Sequence, residues 1–442
     1  MPLKSFNNND ARQKKDAARQ CGEKQEDYQP LSRWAQWWDV RFPIARFWVK
    51  HFKNFLVPRN VNYFYAFGAI LVVFFFLQIL TGFVMACHYI PTLEEAFSSR
   101  QYFLRLGHFG WLFVPWHAVG ASFFFLAAYI HIGRALFYGS YKAPREFVWL
   151  VGVTIYLLMV AIAFFGYVLV WGQMSVTAAV VISQFIKDIP FLGGWMYHAL
   201  LGADALGQPS LTRFYVLHYF LSFILLFLIV VHLLAFHQVG QGNPSGKVRQ
   251  KKEHYMPFAP YALLKDRIAL TVFLLLFCWV LFFHPQLLQG GENAQKGDVF
   301  STAPHVRPEW YLLPFYSLLR ALTFKIGAIS SSTIGVCVVL SAFAVLFFVP
   351  WLDRSPVVSA RHRPLYRFFF YFFIADFFLL GYCGAQAITP QIVFYSQLGT
   401  AYYFFFFLIV LPLLPCIEKR FFSANNEISA KTRKGLELCQ RD

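Results

Sequence analysis

Charge is scarce in this sequence. Asp, Glu, Lys and Arg make up 14% of its 442 residues, against about 25% in soluble domains. That is too little to cover a soluble globule of this size. Acids are scarcer still, with 22 Asp and Glu against 39 Lys and Arg, for a net charge of +17. The seven cysteines (Cys21, Cys87, Cys278, Cys337, Cys383, Cys416 and Cys439) form no C-x-x-C and no C-x-x-C-H pattern. A chain this long and apolar is not of the disulfide-framework class. The missing cysteine motifs argue against an iron–sulfur site, a structural zinc site or covalently attached haem in this chain. A hydrophobic content of 58% excludes the disordered and collagen-like classes.

What is present in quantity is apolar sequence, and it reads as an all-α polytopic membrane protein. At about 20 residues per span plus connections, the length allows roughly eight spans. Long uncharged runs predict them at 63–88, 112–133, 147–169, 214–237, 268–286, 330–351, 368–385 and 399–417. In a soluble protein the basic excess would point to nucleic acid; here its distribution points to orientation instead. The loops 134–146, 238–267 and 352–367 carry 13 Lys and Arg, and the longer opposite loops carry eight. Both termini and those three loops are therefore expected on the negative side, matrix or cytoplasm. The runs 147–186 and 377–417 exceed one span. The first should continue past Trp171 as a surface helix, and the second should hold a turn at Pro390 before the last span.

The flanks differ from the spans. Residues 1–33 carry seven Lys and Arg and five Asp and Glu without an apolar core, which predicts a disordered tail rather than a signal or transit peptide. Residues 421–442 read as a second, basic polar tail. Between 34 and 56, Trp34, Trp37, Trp38, Phe42, Phe47, Trp48 and Phe52 alternate with Arg41, Arg46, Lys50 and Lys53. This amphipathic segment suits the headgroup region, with a break at Pro43.

Four histidines interrupt the apolar runs at two equal intervals. His117 and His131 lie 14 residues apart in the second span, and His218 and His232 lie 14 apart in the fourth. Fourteen helical residues return to within about 40° of one face and rise about 21 Å. Two such helices set four imidazoles at two depths, two at each. A lone buried His is as easily a hydrogen-bonded core residue. Two matched pairs instead suit axial ligation of two haems, which fills both iron positions and leaves no oxygen site. Gly68 and Gly82 in the first span, and Gly152 and Gly166 in the third, repeat the interval. A macrocycle needs such gaps where it passes a backbone. Arg134 and Arg213, one at each membrane surface, could pair with haem propionates or serve as headgroup anchors.

These residues resemble the cytochrome b family, the core haem subunit of respiratory Complex III, over about residues 57–420. The matching motifs are QILTG at 78–82, the histidine pairs, GYVL-x-WGQMS at 166–175, LTRF at 211–214, NPSG at 243–246 and PEWY at 308–311. The equal 14-residue intervals and the unsplit chain favour the respiratory form. The resemblance implies a di-haem four-helix bundle over 57–246 and a four-span region over 247–420. It assigns His117 and His218 to a low-potential b-type haem near the positive side, and His131 and His232 to a high-potential one near the negative side.

The resemblance further implies the catalytic core of a quinol–cytochrome c oxidoreductase, with ubiquinol and ubiquinone as substrates. Glu309 would accept a quinol proton, in a pocket lined by Tyr167 and Tyr311. His237 and Asp266 would deliver protons to a quinone on the other side. Partners would be a Rieske-type iron–sulfur protein, a cytochrome c-type subunit, other Complex III subunits, a second copy and membrane lipid, but no nucleic acid. The location would be the mitochondrial inner membrane, with the bacterial plasma membrane as the alternative. Two other classes remain open on the residues alone: a transporter or proton channel with buried histidines, and a simple di-haem cytochrome without quinol bifurcation.

Val114, Val170, Ala178, Ala69 and Gln241 depart from the family's usual Arg, Pro, Gly, Ser and Ser. The extra methyl of Ala178 should narrow the quinol pocket. Turnover is therefore expected to resist methoxyacrylate inhibitors, and an inhibitor titration showing ordinary sensitivity would contradict this.

Overall fold

The structure, a computed structural model, describes residues 32–43, 45, 48–49, 53–246, 254–288, 291–301, 306–325, 327 and 329–418. The expected tails at 1–33 and 421–442 lie outside the described residues except Ser32 and Arg33, as do Arg46, Phe47, Lys50 and Phe52. The chain divides into two compact units, Met1–Arg59 with Lys251–Leu264, and Asn60–Gln250 with Lys265–Asp442.

In the first unit, Ser32 opens the helix Arg33–Arg41, its hydroxyl accepting from the Ala35 N–H at 3.1 Å. Trp34, Trp37 and Trp38 are exposed on it, and Arg41 lies over the Trp37 ring at 4.1 Å. The strands Leu56–Pro58 and Tyr255–Pro257 pair antiparallel, Leu56 opposite Pro257.

Among the described residues eight helices are long and apolar enough to cross a membrane, in the order expected: Tyr63–Ala86, Gly110–Tyr138, Glu146–Leu169, Gln208–Val239, Phe258–Phe283, Ser331–Leu352, Pro364–Ala385 and Pro390–Glu418. They are called spans 1 to 8 below. The fourth, fifth and eighth start earlier than the apolar runs do, at Gln208, Phe258 and Pro390. In the fourth and eighth the first turns carry polar groups that find partners. Gln208 donates to the Pro91 carbonyl at 2.9 Å, and Ser210 to the Leu201 carbonyl at 2.8 Å. At span 8, Thr389 accepts from the Ile392 N–H at 3.3 Å, and Pro390 occupies the first turn, where its missing N–H costs nothing. Pro390 therefore opens the last span instead of preceding it. Beyond span 3 the chain turns at Trp171, held at φ 49°, before the expected surface helix, Gln173–Lys187.

Within the second unit, span 1 packs on span 2 and span 3 on span 4. Aromatic contacts fill the gaps. Phe74 stacks on Phe123 at 6.2 Å, and Phe273 meets both edge-on at 5.3 Å. A second core joins spans 7 and 8, where Phe373 stacks on Phe406 at 4.5 Å.

At the Lys/Arg-rich end a buried charge network ties three segments together. Asp353 accepts from Lys142 and Arg363, both at 2.9 Å, and from the Tyr141 hydroxyl at 2.5 Å. The Arg363 Nε reaches Glu418 at 2.8 Å, and Glu418 also accepts the Tyr366 N–H at 3.2 Å. Two cations balance two anions, so each charge keeps its partner away from water. Removing one member strands the others. Asp353→Asn should cost about 3–5 kcal/mol, read as a lowered unfolding midpoint of the purified protein.

Candidate functional site

Each histidine of one span meets its counterpart on the other. The His117 and His218 rings lie 6.2 Å apart between centroids, and the His131 and His232 rings 6.5 Å apart. Each of the four imidazoles faces one of the four glycines. A Cβ at Gly68 would lie 3.3 Å from His131, one at Gly82 3.2 Å from His117, and one at Gly152 3.2 Å from His232. A Cβ at Gly166 would collide with the His218 ring. Each glycine therefore stands where an imidazole comes closest to the neighbouring span.

Hydrogen bonds set the tautomer of one pair. The Thr81 hydroxyl gives its proton to the Leu77 carbonyl at 2.8 Å, so its oxygen accepts from His117 Nδ1–H, also at 2.8 Å. The Ile162 carbonyl can only accept, so His218 Nδ1 donates to it at 2.8 Å. Both Nε2 atoms are then left with a lone pair, the form a metal needs. Spacing did not reveal these two supports. Thr81 stands within the QILTG motif next to Gly82, but a backbone carbonyl leaves no mark on a sequence.

The pairs fit a haem by distance and by donor set. An iron with imidazole nitrogens about 2 Å away on both sides would hold the ring centres about 6.3 Å apart. Among the described residues no group of three or more His, Cys, Asp or Glu could hold a metal ion. Two imidazoles suffice only where a porphyrin supplies the equatorial nitrogens. Arg134, one turn beyond His131, adds to the fit. It stacks over Tyr65 at 4.5 Å and reaches Ser140 at 3.4 Å, while its Nε is buried without a partner and so could serve an anion. Arg213 is engaged differently. It donates to the His198 and Ala199 carbonyls at 3.2 and 2.5 Å, closing the surface helix Gly193–Leu201.

A second cluster forms around PEWY. Glu309 precedes a short turn, Trp310–Leu312, that leads into the helix Leu313–Ala321. The Tyr311 ring lies flat on Phe125 at 4.0 Å. The Tyr129 hydroxyl donates to the Tyr311 carbonyl, so Tyr156 donates to Tyr129 at 3.1 Å. Spans 2 and 3 thereby hold the motif in place. Tyr311 lies within electrostatic reach of both Glu309 and Tyr167, so the three expected residues come together. Burial pushes the Glu309 carboxyl up to about 7, against the pull of Arg307. His237 sits in the last turn of span 4, and Asp266 in the first turn of the helix Leu263–Phe283, both at the Lys/Arg-rich end.

The family Cytochrome b/b6/petB matches residues 52–240, and Cytochrome b(C-terminal)/b6/petD matches 296–404. Cytochrome b of Rickettsia conorii is 42% identical over 384 residues, 87% of this chain and 94% of that protein. Cytochrome b/c1 of Bradyrhizobium diazoefficiens is 43% identical over 89% of this chain, which spans 56% of that longer protein. A solved hyperthermophilic respiratory Complex III contains a chain of the same fold, with TM-score 0.80 and 31% identity over 87% of this chain and 99% of that one.

Fold and matches together define a polytopic electron-transfer protein of the membrane. The chain belongs to the cytochrome b/b6 family; it binds b-type haem and serves electron transfer in a cytochrome bc complex. These relatives are bacterial, which fits the plasma-membrane alternative and lends the mitochondrial placement no support.

The geometry predicts two effects on bound haem. Gly166→Ala should displace His218 and deplete reduced b-type absorbance. Thr81→Val, which keeps the shape but removes the acceptor, should weaken haem retention by about tenfold or more. Haem content per purified chain checks both.

Proposed function

We propose that this chain is the haem-bearing core of a quinol–cytochrome c oxidoreductase, with a quinol site at Glu309 and a quinone site at His237 and Asp266. The observation that carries the reading is the pair of facing imidazole couples, each ring set against its own glycine, at separations suited to one metal apiece. His117 and His218 would hold one b-type haem, and His131 and His232 a second. When bound, the haems supply one-electron transfer with no open coordination position. Arg134 Nε is placed to receive an anionic group beside the second.

Glu309 supplies the base. Its carboxyl titrates near neutrality because water is largely excluded around it, and a base works best when its pKa lies near the working pH. It takes a proton from the quinol, whose ring is flanked by Tyr167 and Tyr311. Tyr129 and Tyr156 keep that wall rigid through the Tyr311 carbonyl. His237 and Asp266 supply protons to quinone at the other end of the bundle. This chain has no cysteine set for an iron–sulfur cluster. A separate Rieske-type protein would accept one electron per quinol, and a cytochrome c-type subunit would carry it onward. The Lys/Arg-rich end, with both termini, faces the negative side, and the complex works as a homodimer in lipid.

A dithionite-reduced spectrum of the purified protein should show two b-type α-bands; none would overturn the reading. Glu309 must be ionised to accept a proton, so quinol oxidation should rise with pH through about 7, where burial has moved this carboxyl. Glu309→Gln should remove that rise and slow turnover with both haems retained. A full rate with an unchanged pH profile would exclude the proton role.

A further inference from the structure

Span 7 carries a carboxyl that none of this chemistry uses. Asp376 stands near the middle of Pro364–Ala385 and is 8% exposed. Its Oδ2 is buried without a hydrogen-bond partner. An acidic group at this depth is costly, and where one is found it is normally paired or working. Span 8 makes room for it at Gly399, where a Cβ would lie 2.9 Å from Asp376 Oδ1.

The groups around Asp376 do not neutralise it. Tyr402, Tyr403 and Cys383 lie within its electrostatic reach. The Tyr402 hydroxyl donates to the Phe369 carbonyl, and that of Tyr403 to the Ala342 carbonyl, both at 2.9 Å. Thr400 donates to the Ser396 carbonyl at 2.7 Å. The one cation on the adjoining helix Leu313–Ala321, Arg320, is given to the carbonyls of Cys383 and Gln386. A carboxylate here would stand alone in an apolar medium, so the neutral acid is the form this site favours.

A line of polar groups leads from Asp376 toward the Gln386 end. Cys383 lies two turns along the same face of span 7. Ser396 and Thr400 lie on the facing side of span 8, beside Gly399. Ser317 closes the third side, donating to Ser396 at 2.9 Å, and both serines are buried. Gln397 and Arg320 stand at the mouth, Gln397 donating to the Ala321 carbonyl at 3.1 Å. From Asp376 to Gln386 the rise is about 15 Å.

We propose that Asp376 is a proton-binding site in its own right, a protonated carboxyl inside the membrane that exchanges with water at the Gln386 end along the Ser317–Ser396 seam. Its ligands are a proton and the few waters that carry it. The proposal is independent of how the histidines and Glu309 are used.

Infrared difference spectra of the purified complex test it, wild type against Asp376→Asn, with haem absorbance as the check on assembly. A protonated carboxyl C=O band should be present in wild type and absent from D376N. In D2O it should shift well before the protected amides of the spans exchange. Ser396→Val should slow that shift by about tenfold, the rate equivalent of one lost hydrogen bond. If D376N does not accumulate, Asp376→Glu keeps the acid and moves the band, which assigns it equally. An ionised carboxylate at this position, a band that shifts only with the protected amides, or an S396V rate equal to wild type would each overturn the proposal.

Discussion

A polar ring inside a bilayer has to be satisfied by the protein itself, because lipid offers no hydrogen bond. Four imidazoles impose that demand on the second unit. The helix repeat brings residues 14 apart to one face, so one span answers it twice. The facing span must then come close at the same two depths, and a glycine at each makes that possible. Because the histidines are evenly spaced, their glycine counterparts are too. The pairing of span 1 with span 2, and of span 3 with span 4, follows from these close approaches as much as from apolar packing. For His117 and His218, Thr81 and the Ile162 carbonyl provide a partner for one ring nitrogen and decide which nitrogen faces inward.

Features written as local periodicity were legible in the sequence. The eight spans, the surface helix beyond Trp171, both histidine pairs and the glycine repeats depend on hydropathy or helical phase, which a single chain displays openly. The PEWY cluster was legible only by resemblance, since nothing local says that Tyr167 lies near Tyr311. Span edges were read short at Gln208 and Pro390. Their polar first turns look like loop until Pro91, Leu201 and Ile392 are seen as partners. The charge network at Asp353 was invisible. Its members are ordinary interfacial residues in sequence, and only the fold carries Lys142, Arg363 and Glu418 to one buried place.

Three carboxyls show how the same chemical group takes different roles from its surroundings. Asp353 has two cations and a phenol against it and serves as a tie between loops. Glu309 is half-buried at the end of a loop, with Arg307 within electrostatic reach, and this leaves it poised near neutrality. Asp376 lies near the middle of a span, with no cation against it among the described residues. Along this series the compensating charge falls from two cations in contact, to one within reach, to none among the described residues, while Asp353 and Asp376 are both buried. A paired carboxylate contributes rigidity, a partly dry one contributes a base, and an unpaired one at depth can persist only as the neutral acid.

That ordering also explains why so little charge is enough for this chain. A soluble protein spreads charges over its surface, where each is nearly interchangeable with the next. Here most of the surface is apolar, and each internal polar group sits in a setting that restricts what it can do. Moving one by a single turn would change its depth by about 5 Å, and with it the neighbours that define its chemistry. Helical phase is then a functional variable and not only a packing one. A histidine shifted by one residue would turn about 100° away from its glycine and from its counterpart across the bundle. An insertion in span 2 or span 4 between the paired positions therefore differs in kind from a substitution there: it separates the two depths and cannot be repaired by local repacking.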